Sequence, residues 1–213
     1  MSSKIGTEFK TPLQQRSRAS LERVYSATNI LLGEKDFSQV TIAEISKKAE
    51  VSVGSIYQRF GSKNQLLWTM YDAYLEEAIE RIEQFMARRD SLSLEQRVDA
   101  LILMICGLFA DNRGVIKSLL NRYRQFPESV PELITSQIRG AYDNSAQFLL
   151  SDNGDERLTA RAKFAVSIIL SMVRDQIIYE SGLWEEIAVS SDEKMVQALR
   201  PAVMAILNSD IDL

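Results

Sequence analysis

The stretch VTIAEISKKAEVSVGSIYQRFGSKNQLL, residues 40–67, carries the signals of two short helices joined by a tight turn. Thr41 is followed three residues later by Glu44, and this spacing predicts a capping box at the start of the first helix. The turn is expected at 49–51, and Ser52 is expected to cap the second helix. Two short helices at this separation predict a helix-turn-helix.

Helical signals extend on both sides of this segment. Apolar residues recur at three- and four-residue spacing while β-branched alternation is scarce, so we expect an all-α protein. A helix over 16–32 should precede the helix-turn-helix, with Gly33 ending it in a left-handed turn. A long helix over 63–89 should follow it. Further helices are predicted over 93–111, 113–124, 131–151, 156–181 and 192–208.

The composition excludes several classes of catalytic and metal site. The 213 residues suffice for one or two domains, at about 150 residues per domain. Histidine is absent and Cys106 is the single cysteine, which excludes Ser-His-Asp and Cys-His catalysis, zinc fingers, His-ligated iron and an intramolecular disulfide. The side chains that remain available for catalysis are carboxylates, Lys and Tyr. Binding is the other kind of function that the composition leaves open. We therefore expect no metal and no cofactor, and we interpret Cys106 as a small buried hydrophobe.

The distribution of charge divides the chain near residue 65. Residues 1–65 hold ten Lys and Arg against six Asp and Glu, whereas residues 66–213 hold fifteen against twenty-three. A basic tail over 1–15 is either an arm that reaches phosphates or a solvated extension. The first residues lack the apolar run of a secretory signal and no segment resembles a spanning helix, so we expect a cytoplasmic protein with no membrane partner.

The helix-turn-helix resembles the N-terminal DNA-binding region of the tetracycline-repressor (TetR) family of bacterial regulators. The resemblance begins at Arg16 and rests on Phe37, Thr41, Ile42, Ile45, Ala49, Val51, Ser52, Gly54, Tyr57, Phe60, Ser62, Lys63 and Leu66. It implies a three-helix DNA-binding domain over 1–65 and a helical ligand-binding and dimerisation domain over 66–213. Two positions depart from the family, because Asp36 and Glu50 stand where its members usually have glycine.

The candidate DNA contacts lie in and beside the second helix of the motif. A recognition helix reads base edges with its N-terminal residues, which must be short and polar enough to approach the groove. Ser55 can bond a base edge or a phosphate, Gln58 can pair with adenine, and Tyr57, by resemblance, donates its hydroxyl to a phosphate. The predicted set is Thr41, Ile42, Ser52, Val53, Gly54, Ser55, Tyr57, Gln58, Arg59 and Lys63.

A ligand pocket in the second domain is implied by the resemblance. Large, adaptable or polar-tipped side chains on its helices would suit an apolar or aromatic effector, although plain core packing is the alternative for each of them. The candidate residues are Met70, Tyr74, Met104, Phe109, Tyr123, Phe126, Phe148, Met172 and Gln176.

A dimer interface is expected on the last two helices. The helix over 156–181 is apolar nearly all round, so it needs cover on two sides, and a second copy of the chain is the simplest second cover. This is also where members of the resembled family dimerise. The candidate residues are Phe164, Ile168, Ile178, Met195, Leu199, Val203 and Ile206.

These features lead to one hypothesis with rivals. We expect a homodimeric repressor that places two recognition helices in successive major grooves of a palindromic operator on double-stranded DNA and is released by a small-molecule effector. An activator, or a regulator that needs its ligand in order to bind DNA, fits the same fold. The rivals from other classes are an adaptor whose motif has lost DNA binding and a helical enzyme that uses carboxylates or Lys.

Overall fold

The protein is all α-helical, as the apolar periodicity predicts. The computed structural model describes residues 12–150, 156–178 and 191–210, and this part of the chain contains helices without any strand. The helices are α1 Pro12–Glu34, α2 Ile42–Ala49, α3 Val53–Phe60, α4 Lys63–Met86, α5 Leu94–Asp111, α6 Arg113–Gln125, α7 Glu132–Leu149, α8 Glu156–Ile178 and α9 Asp192–Leu207. Most of the predicted basic tail, residues 1–11, lies outside the described residues.

The chain divides into two compact units, Met1–Leu67 and Trp68–Leu213. The division lies within α4, two residues after the position at which the balance of charge changes. No helix in the described ranges is long and apolar enough to cross a membrane.

Local capping interactions fix where the short helices of the first unit begin and end. The hydroxyl of Thr41 accepts from the backbone N–H of Glu44 at 3.2 Å, and the Glu44 carboxylate accepts from the backbone N–H of Thr41 at 2.9 Å, which is the predicted capping box. Ser52 caps α3 by accepting from the N–H of Ser55 at 3.1 Å. Gly61 ends α3 with φ 72°, a backbone angle that residues with side chains rarely adopt.

Apolar side chains from all of these helices form the core of the first unit. Val24, Leu32, Ile45, Ile56 and Leu66 are each at most 3% exposed. Burying such a side chain contributes about 1.5–3 kcal/mol, so this small core holds α2 against α1 and α3 against α2.

The predicted end of α1 at Gly33 is wrong. The helix continues to Glu34, the backbone N–H of Lys35 still donates to the carbonyl oxygen of Leu31 at 3.0 Å, and Gly61 is the glycine with positive φ among the described residues. Leu31 and Leu32 are buried, so the helix keeps its packed face through Gly33 and the chain leaves it only afterwards.

The second unit is built around α5. This helix packs against α8 and α9, and α7 packs against α8. The most buried core side chains, each at most 1% exposed, include Val98, Ile102, Phe148, Ile169 and Val203. Ser93 and Gln96 form a second capping box at the start of α5, which fixes where this central helix begins.

Candidate functional site

The outer face of α3 presents the predicted recognition residues together. Every position from Ser52 to Arg59 is exposed except Ile56, which faces the core together with Phe60. We call this face the α3 surface, and its exposed members are Ser52, Val53, Gly54, Ser55, Tyr57, Gln58 and Arg59. Tyr57 is 49% exposed and Val53 is 39% exposed, so neither side chain is needed to fill the interior of the unit.

The small residues at the start of α3 leave room for an outside molecule. A Cβ added to Gly54 would meet nothing within 4 Å, so the packing of this unit does not require glycine there. The hydroxyls of Ser52 and Ser55 lie 2.8 Å apart and bond each other across the first turn. A first turn of this kind offers short polar groups and unpaired backbone N–H groups to a nucleic acid.

Arg59 lies on the α3 surface and also joins two helices. Its Nη1 donates to the backbone carbonyl oxygen of Ser17 in α1 at 3.0 Å, in an exposed position. A guanidinium has five N–H donors, so this contact leaves donors that can reach a phosphate. The same bond fixes the C-terminal part of α3 on α1.

Lys63 has a structural role that the sequence did not reveal. Its Nζ donates at 2.9 Å to the carbonyl oxygens of both Phe37 and Val40, and it lies 4.3 Å from the centre of the Phe37 ring. Partial burial lowers the pKa of this ammonium. Two of its three N–H groups therefore hold the loop before α2, and only the third is available to a phosphate.

Thr41 and Ile42 differ in their access to a partner. Thr41 is exposed, but its hydroxyl is engaged with the Glu44 carboxylate at 2.8 Å. The hydrogen bond from Lys35, together with those from Thr41, lowers the pKa of Glu44 to about 2. Ile42 is 6% exposed and its side chain faces the core, so a contact with DNA at this position falls to its backbone, and that contact stays a prediction.

The turn between α2 and α3 contains the strained position. Glu50 has φ 54° and ψ 42°, the left-handed conformation in which glycine is favoured. The residue is exposed. Arg23 supports this turn by donating from Nε to the carbonyl oxygen of Ala49 at 3.0 Å. Asp36, the other position where the resembled family has glycine, has φ −63° and carries no such strain.

The second unit contains a cavity of about 240 Å³ lined by side chains of α4 to α8. Tyr74, Met104 and Phe109 are the predicted ligand residues that line it. Most of the remaining wall is Leu, Ile and Ala, and its other polar side chains are Tyr142, Ser145 and Arg174, which the sequence did not single out. We call this space the apolar cavity.

The other predicted ligand residues do not line the apolar cavity. Met70 and Phe148 are buried in the core, where the ring centre of Phe148 lies 5.9 Å from that of Phe85. Chain periodicity identifies such residues as inward-facing but does not say whether they border a space. The remaining predicted residues are the exposed Tyr123, Phe126 and Met172 and the half-buried Gln176.

Part of the predicted dimer surface is interior. Met195, Leu199 and Val203 are at most 5% exposed within the single chain, so their prediction as interface residues was wrong. The reason is that α9 turns this apolar face to α5 and α8 of its own unit.

The outward apolar residues on the last two helices are a different set. Phe164 is 45% exposed, Ile168 and Ile206 are half-buried, and the side chain of Ile178 lies outside the described residues. Met172, a predicted pocket residue, is 43% exposed and continues the stripe of Phe164 and Ile168 at four-residue spacing along α8. We call Phe164, Ile168 and Met172 the α8 stripe.

The described residues offer no alternative centre for metal chemistry or thiol chemistry. No group of three or more Cys, Asp or Glu side chains among them could hold a metal ion. Cys106 is 1% exposed, and burial raises the pKa of its thiol to about 12. A thiol in that state is a poor nucleophile, which agrees with a packing role for Cys106.

Comparisons with known proteins agree with this geometry. Residues 24–68 match the family model of the bacterial regulatory proteins of the tetR family. The matched range ends within one residue of the end of the first compact unit and includes α2, α3 and the α3 surface.

Two relatives share parts of the sequence. The chain is 24% identical over 118 residues to the uncharacterized HTH-type transcriptional regulator YxbF of Bacillus subtilis (strain 168), over 55% of this chain and 30% of YxbF. It is 35% identical over 68 residues to the transposon Tn10 TetC protein of Escherichia coli, over 32% of this chain and 34% of TetC. The chain thus spans about a third of the length of the relatives that it matches.

Solved structures share the fold across both units. The chain resembles a transcriptional regulator (TerR/AcrR family) from Aquifex aeolicus VF5 with a TM-score of 0.63 and 19% identity, over 88% of this chain and 99% of that one. A TetR-family regulator from Rhodococcus sp. gives a TM-score of 0.65 with 12% identity, over 89% and 99% of the two chains.

Proposed function

We infer that this chain is a transcriptional regulator of the TetR family rather than an enzyme, and that it acts as an effector-responsive repressor that binds its operator as a homodimer. The α3 surface is the observation that carries this inference. The exposed side of α3, the helix that reads bases in this motif, carries a row of short polar groups, a glycine that the protein's own packing does not require and an exposed aromatic ring.

Direct reading of bases is assigned to Ser55, in the first turn of α3, and to Gln58, three residues later. Ser55 and Gln58 lie on the exposed face of α3 and can form hydrogen bonds with base edges, Gln58 with the bidentate geometry that suits adenine. Tyr57 and the remaining donors of Arg59 contact phosphates and set the orientation of α3 in the groove.

Dimerisation is assigned to the α8 stripe together with exposed residues of α9. Phe164, Ile168 and Met172 form one apolar line on α8, and α9 adds the exposed Pro201 and Ala205. A twofold axis through such a surface makes it self-complementary, and two copies of α3 then read half-sites about 34–36 Å apart. A palindromic operator follows from that symmetry.

Effector binding is assigned to the apolar cavity. Its volume of about 240 Å³ is slightly below the roughly 300–1,000 Å³ of drug-sized pockets, so it suits a small apolar or aromatic molecule. An effector that binds the DNA-free state more tightly weakens operator binding by the same factor by which DNA weakens effector binding, typically 5- to 150-fold.

Selection of bound fragments from the genome of the source organism tests the DNA-binding proposal. The purified wild-type chain is expected to enrich a palindromic site at near-physiological salt, and the double variant Tyr57→Ala, Gln58→Ala is expected to enrich none. Gln84→Ala is the matched control, because Gln84 is an exposed glutamine in the second unit. Equal recovery of random fragments by all three proteins would contradict the proposal.

A further inference from the structure

The apolar cavity has a charged neighbour. A second cavity of about 290 Å³ is lined by Leu120, Tyr123, Arg124, Arg174 and Asp175, and we call it the arginine cavity. Leu120 and Arg174 line both cavities, so the two spaces adjoin at these residues. One molecule can therefore occupy both spaces if it is apolar at one end and polar at the other.

Arg174 is the charged side chain of the apolar cavity. Two hydroxyls in the same wall are already committed as donors, because that of Tyr142 donates to the carbonyl oxygen of Lys163 and that of Ser145 donates to the carbonyl oxygen of Ala141 at 2.8 Å. Arg174 uses its Nε in a 3.0 Å bond to Asp175, which leaves its terminal nitrogens as donors where the two cavities meet. Because Arg174 carries the positive charge of this wall, the anionic end of a ligand is directed toward Arg174.

The charges of the arginine cavity limit what that polar end can be. Arg124 and Arg174 bring two positive charges and Asp175 brings one negative charge, which leaves a single net positive charge. One anionic group balances this charge, whereas a head with several phosphates would face the Asp175 carboxylate with an excess of negative charge. A planar carboxylate also matches the geometry of a guanidinium.

We propose that the effector of this protein is a carboxylic acid with a narrow apolar chain, whose chain fills the apolar cavity and whose carboxylate binds Arg174 and Arg124. This inference rests on the proposed function, since it names the chemical class of the effector that the apolar cavity takes. The cavity's volume favours a single chain or one ring over a fused polycyclic skeleton.

Calorimetric titration of the full chain with two matched probes tests the carboxylate. Decanoic acid and decanamide have the same chain, and only the acid is an anion at pH 7. The wild type is expected to bind the acid at least about tenfold more tightly, the size of effect that removal of a charge-assisted hydrogen bond produces. Arg174→Gln is expected to abolish this preference, and Arg124→Gln is expected to reduce it. Arg139→Gln, an exposed arginine of α7 that lines neither cavity, is expected to keep it.

A second variant tests whether the apolar chain of the ligand occupies the apolar cavity. Ala141→Leu places a larger side chain in the wall of the apolar cavity and is expected to weaken both probes alike, with thermal unfolding verifying that the variant is folded. The inference is overturned if the wild type binds the two probes equally, if it binds neither, if Arg174→Gln keeps the preference, if Ala141→Leu leaves both affinities unchanged, or if decanoyl-coenzyme A binds more tightly than decanoic acid.

An assay of release from the operator fragment distinguishes failure of this inference from failure of the proposed function. Decanoic acid is expected to release the selected operator fragment from the wild type and to have little effect on Arg174→Gln. If decanamide releases the fragment as well as the acid does, the carboxylate assignment fails and effector-responsive repression stands. If the wild type binds no specific fragment, the proposed function itself fails.

Discussion

The ammonium group of Lys63 donates to the backbone carbonyl oxygen of Val40 at 2.9 Å, so the first residue of α4 holds the loop that leads into α2. The same nitrogen bonds Phe37 at an equal distance, and the two bonds fix the chain just before the Thr41 capping box. The placement of the helix-turn-helix therefore depends on a contact between residues more than twenty positions apart.

Lys63→Ala is expected to destabilise the protein as well as to weaken DNA binding. Hydrogen bonds to a charged group contribute about 1.5–3 kcal/mol, and this substitution removes two of them from a half-buried site. Urea unfolding measures the effect, and Lys47→Ala is the control because Lys47 is exposed at the end of α2. An equal midpoint for the two variants would show that the Lys63 hydrogen bonds contribute nothing.

Glu50→Gly and Asp36→Gly are expected to have opposite effects on stability. Glu50 has φ 54°, so glycine relieves about 1–2 kcal/mol of backbone strain, whereas Asp36 has φ −63° and glycine there only adds freedom to the unfolded chain. Thermal unfolding should place the midpoint of Glu50→Gly above that of the wild type and the midpoint of Asp36→Gly below it. A shift of the same sign in both variants would contradict the assignment of strain to the turn.

The hydrogen bond from Lys35 to Glu44, together with the Thr41 capping box, makes stability depend on acid pH. Glu44 has a folded-state pKa of about 2, below its ordinary value of 4.5, so the charged form is favoured in the folded protein. Its contribution is complete above pH 4.5 and disappears as the pH falls through about 2. Urea midpoints measured between pH 7 and pH 2 should fall less steeply for Glu44→Gln than for the wild type. Glu83→Gln, an exposed carboxyl on α4, should follow the wild type.

Gln58 and Arg59 are expected to affect DNA binding in different ways. Gln58→Ala removes a hydrogen bond to a base and should cost about 1–3 kcal/mol at one base position while leaving affinity for other sequences unchanged. Arg59→Gln should weaken binding to all sequences and lower the salt slope by about 0.9, the value for one neutralised phosphate. Fluorescence anisotropy with the operator and single-base variants, over a range of salt, separates the two outcomes. A uniform decrease in affinity for all sequences in both variants would remove Gln58 from base reading.

The α8 stripe is expected to hold the dimer together. Phe164→Glu places a charge in the proposed apolar interface and should convert the dimer to a monomer at micromolar concentration. Leu103→Glu is the matched control, because Leu103 is 43% exposed on α5 in the same unit. Analytical ultracentrifugation gives the masses, and a wild-type chain that is itself monomeric would overturn the assignment.

Sequence reasoning succeeded where structure is decided locally. The caps at Thr41 and Ser52 depend on residues three positions apart, and the exposure of the α3 surface follows from the burial of Ile56 and Phe60 on the opposite face. These features need no knowledge of distant contacts.

Sequence reasoning failed where a distant element decides the outcome. Nothing near Lys63 indicates that its ammonium binds two carbonyl oxygens of the preceding loop. Periodicity predicts that Met195, Leu199 and Val203 share an apolar face of α9. Only the packing of α9 on α5 and α8 shows that helices of the same chain cover this face. Arg174 was missed as a cavity residue because a charged position in an apolar helix does not reveal what it borders.

Specific recognition of DNA by the α3 surface is the central claim, and one comparison tests it most directly. The affinity of the wild-type chain is measured at near-physiological salt for its selected fragment and for a scrambled fragment of the same length and composition, beside the double variant Tyr57→Ala, Gln58→Ala. We expect the wild type to prefer its own fragment by about 10³-fold or more and the variant to lose that preference. Equal affinity of the wild type for the two fragments, or an undiminished preference in the double variant, would contradict the claim.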